Sequence, residues 1–281
     1  MLAATTLFAG MDAVVKLLMV DYSLAQVLVF RALFGLLPLV PLLHRAGMGV
    51  LFSGKPWFHL IRSLLGLAAV GCFFLSFRTL PLANVTAIGF AAPLLVALFS
   101  VVILKEKVEP LGWLILVVGF VTIVGMVGPG GWEDGDWAEG SAAALTGTVL
   151  YAGVIVLMRG MGQNESPIAT VFWFSMTTTV VMGSTLPWVW HSPGWGDLAL
   201  FAAAGLLGGT GQLLMAQALR LAPASVVVPF DYFHIVVSAS LGWAIFSDIP
   251  TLRTAVGAGV LIVCGLALLH RQRRGRRASG V

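Results

Sequence analysis

The chain has 281 residues, of which 59% are hydrophobic and 10% charged, and it carries a formal charge of +4 and a mean hydropathy of +0.98. A water-soluble core of this size cannot hide so many apolar side chains, so a soluble fold is excluded and a bilayer must cover them. Cys72 and Cys264, the two cysteines, both fall inside apolar runs, which argues against a disulfide framework or a metal site.

Apolar runs follow one another at residues 2–20, 24–43, 57–77, 81–104, 110–128, 140–158, 166–190, 198–219, 223–247 and 251–270. Each is near the ~20 residues that cross ~30 Å of hydrocarbon as a helix. Their connections are short, so the expectation is an all-α membrane protein of ten transmembrane helices with no inserted soluble domain. The first run has no small-residue cleavage site after it and reads as a retained span, not a signal peptide.

Span 1 holds Asp12 and Lys16 four residues apart, on one helical face. Two readings stand: an internal ion pair, or a pair aimed at a cavity to meet the charged ends of a zwitterionic solute. Lys16, and Arg62 in span 3, lie close enough to their span ends to snorkel; Asp12 does not. Arg31 in span 2 is a further charge within the hydrocarbon zone, where each such group needs a partner or a wet cavity. In span 4, Pro93 deprives the Gly89 carbonyl of its helical donor, which makes a kink or a hinge. Span 5 ends at the Gly-, Pro- and acid-rich stretch 129–139, the boundary between a first unit, 1–128, and a second, 140–270.

The second unit repeats the first. Leu7-Phe8-Ala9-Gly10 with Lys16 returns as Leu150-Tyr151-Ala152-Gly153 with Arg159, and Glu106 has its counterpart in Asp248. A nearly constant shift of this kind in an apolar chain is a duplicated membrane unit, and an odd number of spans per unit turns the second copy upside down. Ile155 stands where the first copy has Asp12, so the halves are electrostatically unequal. Span 8 carries Gly205 and Gly209 at the spacing of close helix packing, with no strand before them or Lys-Ser/Thr after them to make a phosphate loop. Gln212 and Gln217 on the same span serve either as interhelical glue or as solute contacts. In span 9, Pro229-Phe230-Asp231-Tyr232-Phe233-His234 puts a carboxylate, a phenol and an imidazole just after a helix-weakening proline, a costly combination unless it lines a pathway. Pro229 is the second expected hinge. Among the deeper aromatics, Phe90, Tyr151, Trp173 and Phe230 are candidates for a solute-facing wall, with lipid-facing or core positions as the alternative.

With the N-terminus in the cytoplasm, Arg45, Lys55, Lys105, Lys107, Arg159, Arg220 and the basic tail 271–281 lie inside, and only Arg78 and Arg253 lie outside. The positive-inside rule therefore places both termini in the cytoplasm. The tail reads as a juxtamembrane anchor on anionic lipid, so no nucleic-acid partner is expected.

Ala9-Gly10-Met11-Asp12-Ala13-Val14-Val15-Lys16, Phe30-Arg31-Ala32, and span 4 from Leu82-Ala83-Asn84 through Pro93 to Leu104-Lys105-Glu106-Lys107 resemble the drug/metabolite transporter superfamily in its ten-helix EamA-type branch. The resemblance extends to amino-acid exporters of the YddG kind, and the Asp12-Ala13 and Pro229-to-Tyr232 segments are also similar to riboflavin and S-adenosylmethionine carriers. It implies two inverted five-helix repeats around a central cavity in a bacterial inner membrane, with Phe90, Gln212, Asp231, Tyr232 and His234 near the solute. The expected function is alternating-access transport of a small metabolite, foremost amino-acid export. Uptake of a vitamin or cofactor-like metabolite is the alternative, and a membrane-embedded enzyme a remote one. No cofactor or metal is called for, and a monomer is compatible with the reading.

Overall fold

A computed structural model describes residues 1–51, 56–104, 110–127, 135–161, 166–221, 230, 232–248 and 251–278. Its elements are helices: α1 (Leu2–Leu18), α2 (Leu24–Gly35), α3 (Val40–Ala46), α4 (Pro56–Ser76), α5 (Leu82–Gly89), α6 (Ala92–Leu104), α7 (Pro110–Val127), α8 (Gly135–Met161), α9 (Pro167–Gly183), α10 (Leu186–Val189), α11 (Trp195–Leu221), α12 (Phe233–Phe246) and α13 (Leu252–Ala278). Among the described residues, five stretches are long and apolar enough to cross a bilayer: Leu24–Ala46, Pro56–Ser76, Leu82–Phe99, Asp136–Leu157 and Trp195–Ala218. Shorter apolar helices accompany them, among them Pro167–Gly183 and Phe233–Phe246.

Several boundaries differ from expectation, each for a local reason. Span 2 is interrupted after Gly35 by the 3-10 turn Leu37–Leu39, because Pro38 and Pro41 remove helical donors. Span 4 divides into α5 and α6: Phe90 and Ala91 close i→i+3 bonds to Ala87 and Ile88, and Pro93 falls in the first turn of α6, where its missing N–H costs nothing. The stretch 129–139 is not all loop, since α8 begins at Gly135, and the tail stays helical to Ala278.

The helix contacts recur when the two halves are exchanged. In one crossing α1 packs on α11, and in its counterpart α8 packs on α4. The close approach is made by small residues in both places: a Cβ on Gly211 would stand 3.4 Å from the Ala4 carbonyl oxygen, and one on Gly147 would stand 3.0 Å from that of Ala69. Positions 4 and 147 are related by the shift that relates Lys16 to Arg159, and 69 and 211 by the shift that relates Glu106 to Asp248. Where lipid tails are as apolar as the side chains, backbone approach of this kind supplies the attraction between helices.

Gly205 and Gly209 form the packing face read from their spacing. They meet α2 at Gly35, whose backbone occupies the space a Cβ on Gly209 would need.

Trp57, Trp188, Trp190 and Trp195 are exposed. Buried apolar residues form one large cluster around α1, α2, α4, α5 and α11, and a second around α5, α6, α8, Tyr232 and α13.

Candidate functional site

The charged groups of the spans are distributed over helices from both halves. Asp12 on α1 is 9% exposed and faces His234 on α12, with Oδ2 and Nε2 3.2 Å apart. The two atoms are at ion-pair distance without the alignment of a hydrogen bond, and the pair is charged on both sides only when the imidazole is protonated. Lys16, one turn further along α1, turns away from Asp12. Its Nζ meets Asp248 Oδ2 at 2.6 Å, donates to the Leu80 carbonyl at 3.2 Å, and lies 4.7 Å from the centre of the Phe246 ring. The intrahelical Asp12–Lys16 pair is therefore replaced by two pairs between α1 and the α12 segment. Carboxylate and ammonium gain more from separate partners in facing helices, because each then neutralises a charge that would otherwise lie alone in low dielectric.

Arg31 joins this cluster. It is 5% exposed, its Nε donates to Met11 Sδ at 3.1 Å, and its guanidinium lies over the Phe74 and Phe174 rings at 5.6 and 5.9 Å. Gly208 makes room for it: a Cβ there would stand 3.2 Å from Nε and 2.7 Å from the Met11 sulfur. Arg31 and Asp248 were absent from the sequence-derived solute-contact set. The signal for Arg31 was present, since it lies too deep in span 2 to snorkel and its own helix offers no acid.

Phe90 and Tyr232 meet edge to face, with centroids 5.0 Å apart, and both are buried in the second apolar cluster, where Tyr232 also presses on Gly265. Beside them Thr86 bridges to Ser238 at 3.2 Å, joining α5 to α12. Trp173 lies elsewhere. Its indole N–H donates to the Leu51 carbonyl at 3.0 Å and its ring stacks on His59, near the end of the bundle where α4 begins. At that end Arg62 does not reach away from the protein; its Nη1 donates to the Thr170 carbonyl at 3.4 Å, and Tyr151 lies within its electrostatic reach. Gln212 is half-buried, while Gln217 and Phe230 are exposed. Asp231 and Pro229 lie outside the described residues.

A second set of contacts joins the halves at the loop end shared by Lys16 and Asp248. The Gln26 side chain donates to the His191 carbonyl at 2.6 Å and accepts from its N–H at 3.0 Å. Tyr22 donates to Asp197 at 2.7 Å, and Ser23 donates to the Val189 carbonyl at 3.4 Å. The hydrogen bond to the Asp197 carboxylate pushes the Tyr22 phenol above its ordinary range. No group of three or more metal-ligating side chains is present among the described residues.

The EamA-like transporter family matches residues 1–128 and again 138–271. The pseudopaline exporter of Pseudomonas aeruginosa is 29% identical over 280 residues, covering 97% of this chain and 95% of that one. The S-adenosylmethionine uptake transporter of Rickettsia prowazekii is 24% identical, over 89% of this chain and 84% of its own. The riboflavin transporter of Rhizobium johnstonii is 26% identical, over 87% and 80%. A solved crystal structure covers 97% of this chain and 96% of its own with a TM-score of 0.62 at 18% identity, a likeness of fold.

Proposed function

Because the chain belongs to the EamA-like transporter family, and is thus a multi-pass membrane transporter of small metabolites and not an enzyme, we propose that it exports an amino acid or amino-acid-like metabolite by alternating access. One observation carries this reading: Asp12 of the first half and His234 of the second meet in a contact between helices, 3.2 Å apart. A carboxylate so placed is an acceptor for a solute ammonium group, and it belongs to both halves at once, so relative motion of the halves remakes it. Ten spans, inverted halves, both termini cytoplasmic and a bacterial inner membrane complete the proposal. They rest on the repeat, the basic loops and the bacterial relatives.

In this arrangement Lys16–Asp248, Tyr22–Asp197 and Gln26–His191 close the outer end, and the opposite state opens when they part. The Lys16–Asp248 pair is partly exposed, with side chains 15% and 27% accessible, so its loss is worth about 1 kcal/mol, roughly a fivefold change in the balance of the two states. Asp248→Asn is expected to raise thiol labelling of a cysteine at Met11 from the outer side about fivefold, and the double exchange Lys16→Asp with Asp248→Lys to restore the parent rate. Equal labelling in parent and Asp248→Asn removes the gate.

Uptake of a cofactor-like solute is the second reading; the Rickettsia relative favours its direction, and the Rickettsia and Rhizobium relatives its solute class. Proteoliposomes loaded with labelled amino acids, riboflavin or S-adenosylmethionine separate the two. Amino-acid flux supports export, whereas flux confined to the other solutes replaces the substrate and keeps the carrier.

A further inference from the structure

Among the described residues, Arg31 has no carboxylate at ion-pair distance. A guanidinium offers five N–H donors, and a thioether is a weak acceptor. Among the described residues, the acceptor that Arg31 meets is Met11 Sδ. Its near counter-charge, Asp12, is already faced by His234. The remaining neighbours are two phenyl rings and the bare backbone of Gly208. Burying a guanidinium in this way is expensive unless an anion joins it, and the planar fork of a guanidinium fits a two-oxygen anion in a bidentate bond.

We propose that Arg31 receives an anionic group of the transported solute, a carboxylate in the simplest case, beside Asp12. This rests on the transport reading and narrows its substrate class. The solute carries its carboxylate at Arg31 and its cationic nitrogen at Asp12, as a zwitterionic amino acid does. A phosphate monoester presents the same oxygens and is the other source of such an anion. Gly208 is part of the seat, because a Cβ there would crowd the Met11 sulfur at 2.7 Å and the guanidinium at 3.2 Å.

The test uses the purified full chain in detergent, with thermal stabilisation titrated by two matched probe pairs: leucine against leucinamide, and riboflavin 5′-phosphate against riboflavin. The parent is expected to prefer leucine over leucinamide by about tenfold or more. In Arg31→Gln that ratio falls to about one, and in Arg31→Lys, which keeps the charge and loses the fork, it falls several-fold. The ratio is read within each protein, so a general loss of stability does not imitate the result, and Arg31→Lys decides the matter if Arg31→Gln does not fold. If riboflavin phosphate, and not leucine, shows the Arg31-dependent preference, the anion seat stands and the amino-acid reading falls. If leucine binds but Arg31→Gln and Arg31→Lys keep the parent ratio, the amino-acid reading stands and the seat is overturned. A parent that distinguishes neither pair overturns it too.

Discussion

Asp12→Asn is expected to cut solute flux in proteoliposomes on the order of 30- to 100-fold while leaving the protein folded. The carboxylate is buried and faces His234 across the two halves. Removing the carboxylate that would accept the solute's cationic nitrogen in a desolvated site costs about 2–2.7 kcal/mol, which gives that range when the loss falls on the loaded state. Asparagine keeps the volume and an acceptor oxygen, so helix packing around Met11 and Val15 stays intact. The loss is therefore electrostatic, and it should appear as weaker binding of cationic solutes. His234→Gln removes the imidazole and leaves the Asp12 carboxyl in place, so its flux should fall less than that of Asp12→Asn. Parent-like flux in Asp12→Asn would separate the cluster from transport altogether.

Gly209→Leu carries the largest expected effect on stability. The site faces the Gly35 backbone directly, and no flexible side chain can move aside. Overpacking of this kind costs about 1–3 kcal/mol even where side chains can shift, so α2 must separate from α11 or the chain fails to fold. The expected result is loss of the monodisperse peak in fluorescence-detected size exclusion. Gly153→Leu serves as the control, because nothing stands within 4 Å of a Cβ there, and it should elute as the parent does. Normal elution of Gly209→Leu would mean that the two helices do not touch at this glycine.

The architecture was legible in the sequence because membrane folding has few degrees of freedom. Runs of about twenty apolar residues must become helices, and the recurrence of Lys16 at Arg159 and Glu106 at Asp248 marks the second copy. The glycine spacing likewise gave the α2–α11 contact a face, though not its partner. Helix interruptions were less legible. Pro93 announces one, yet sequence alone does not say whether the span bends or divides; that depends on whether Phe90 and Ala91 find i→i+3 acceptors, which they do.

Charge pairing was the least legible layer. Asp12 and Lys16 share a helical face, and local spacing pairs them, but the chain brings Asp248 and His234 to the same face from more than two hundred residues away. Long-range partners win here because each removes a separate desolvation penalty. Arg31 stood in plain view as a mid-span cation, and what hid its place was the lack of any sequence signal tying it to Met11, Phe74 and Gly208. Trp173, grouped with the solute wall by depth alone, is tied by its indole to Leu51 instead.

The central claim is that a solute site between two halves is exposed to one side of the membrane at a time. Ser23 of the first half and Val189 of the second lie together at the expected outer end, with Ser23 Oγ 3.4 Å from the Val189 carbonyl. Cysteines placed at both positions in a background lacking Cys72 and Cys264, joined by a short bis-thiosulfonate linker, should abolish amino-acid counterflow and regain it on reduction. Counterflow at the parent rate in the fully cross-linked protein would contradict the account.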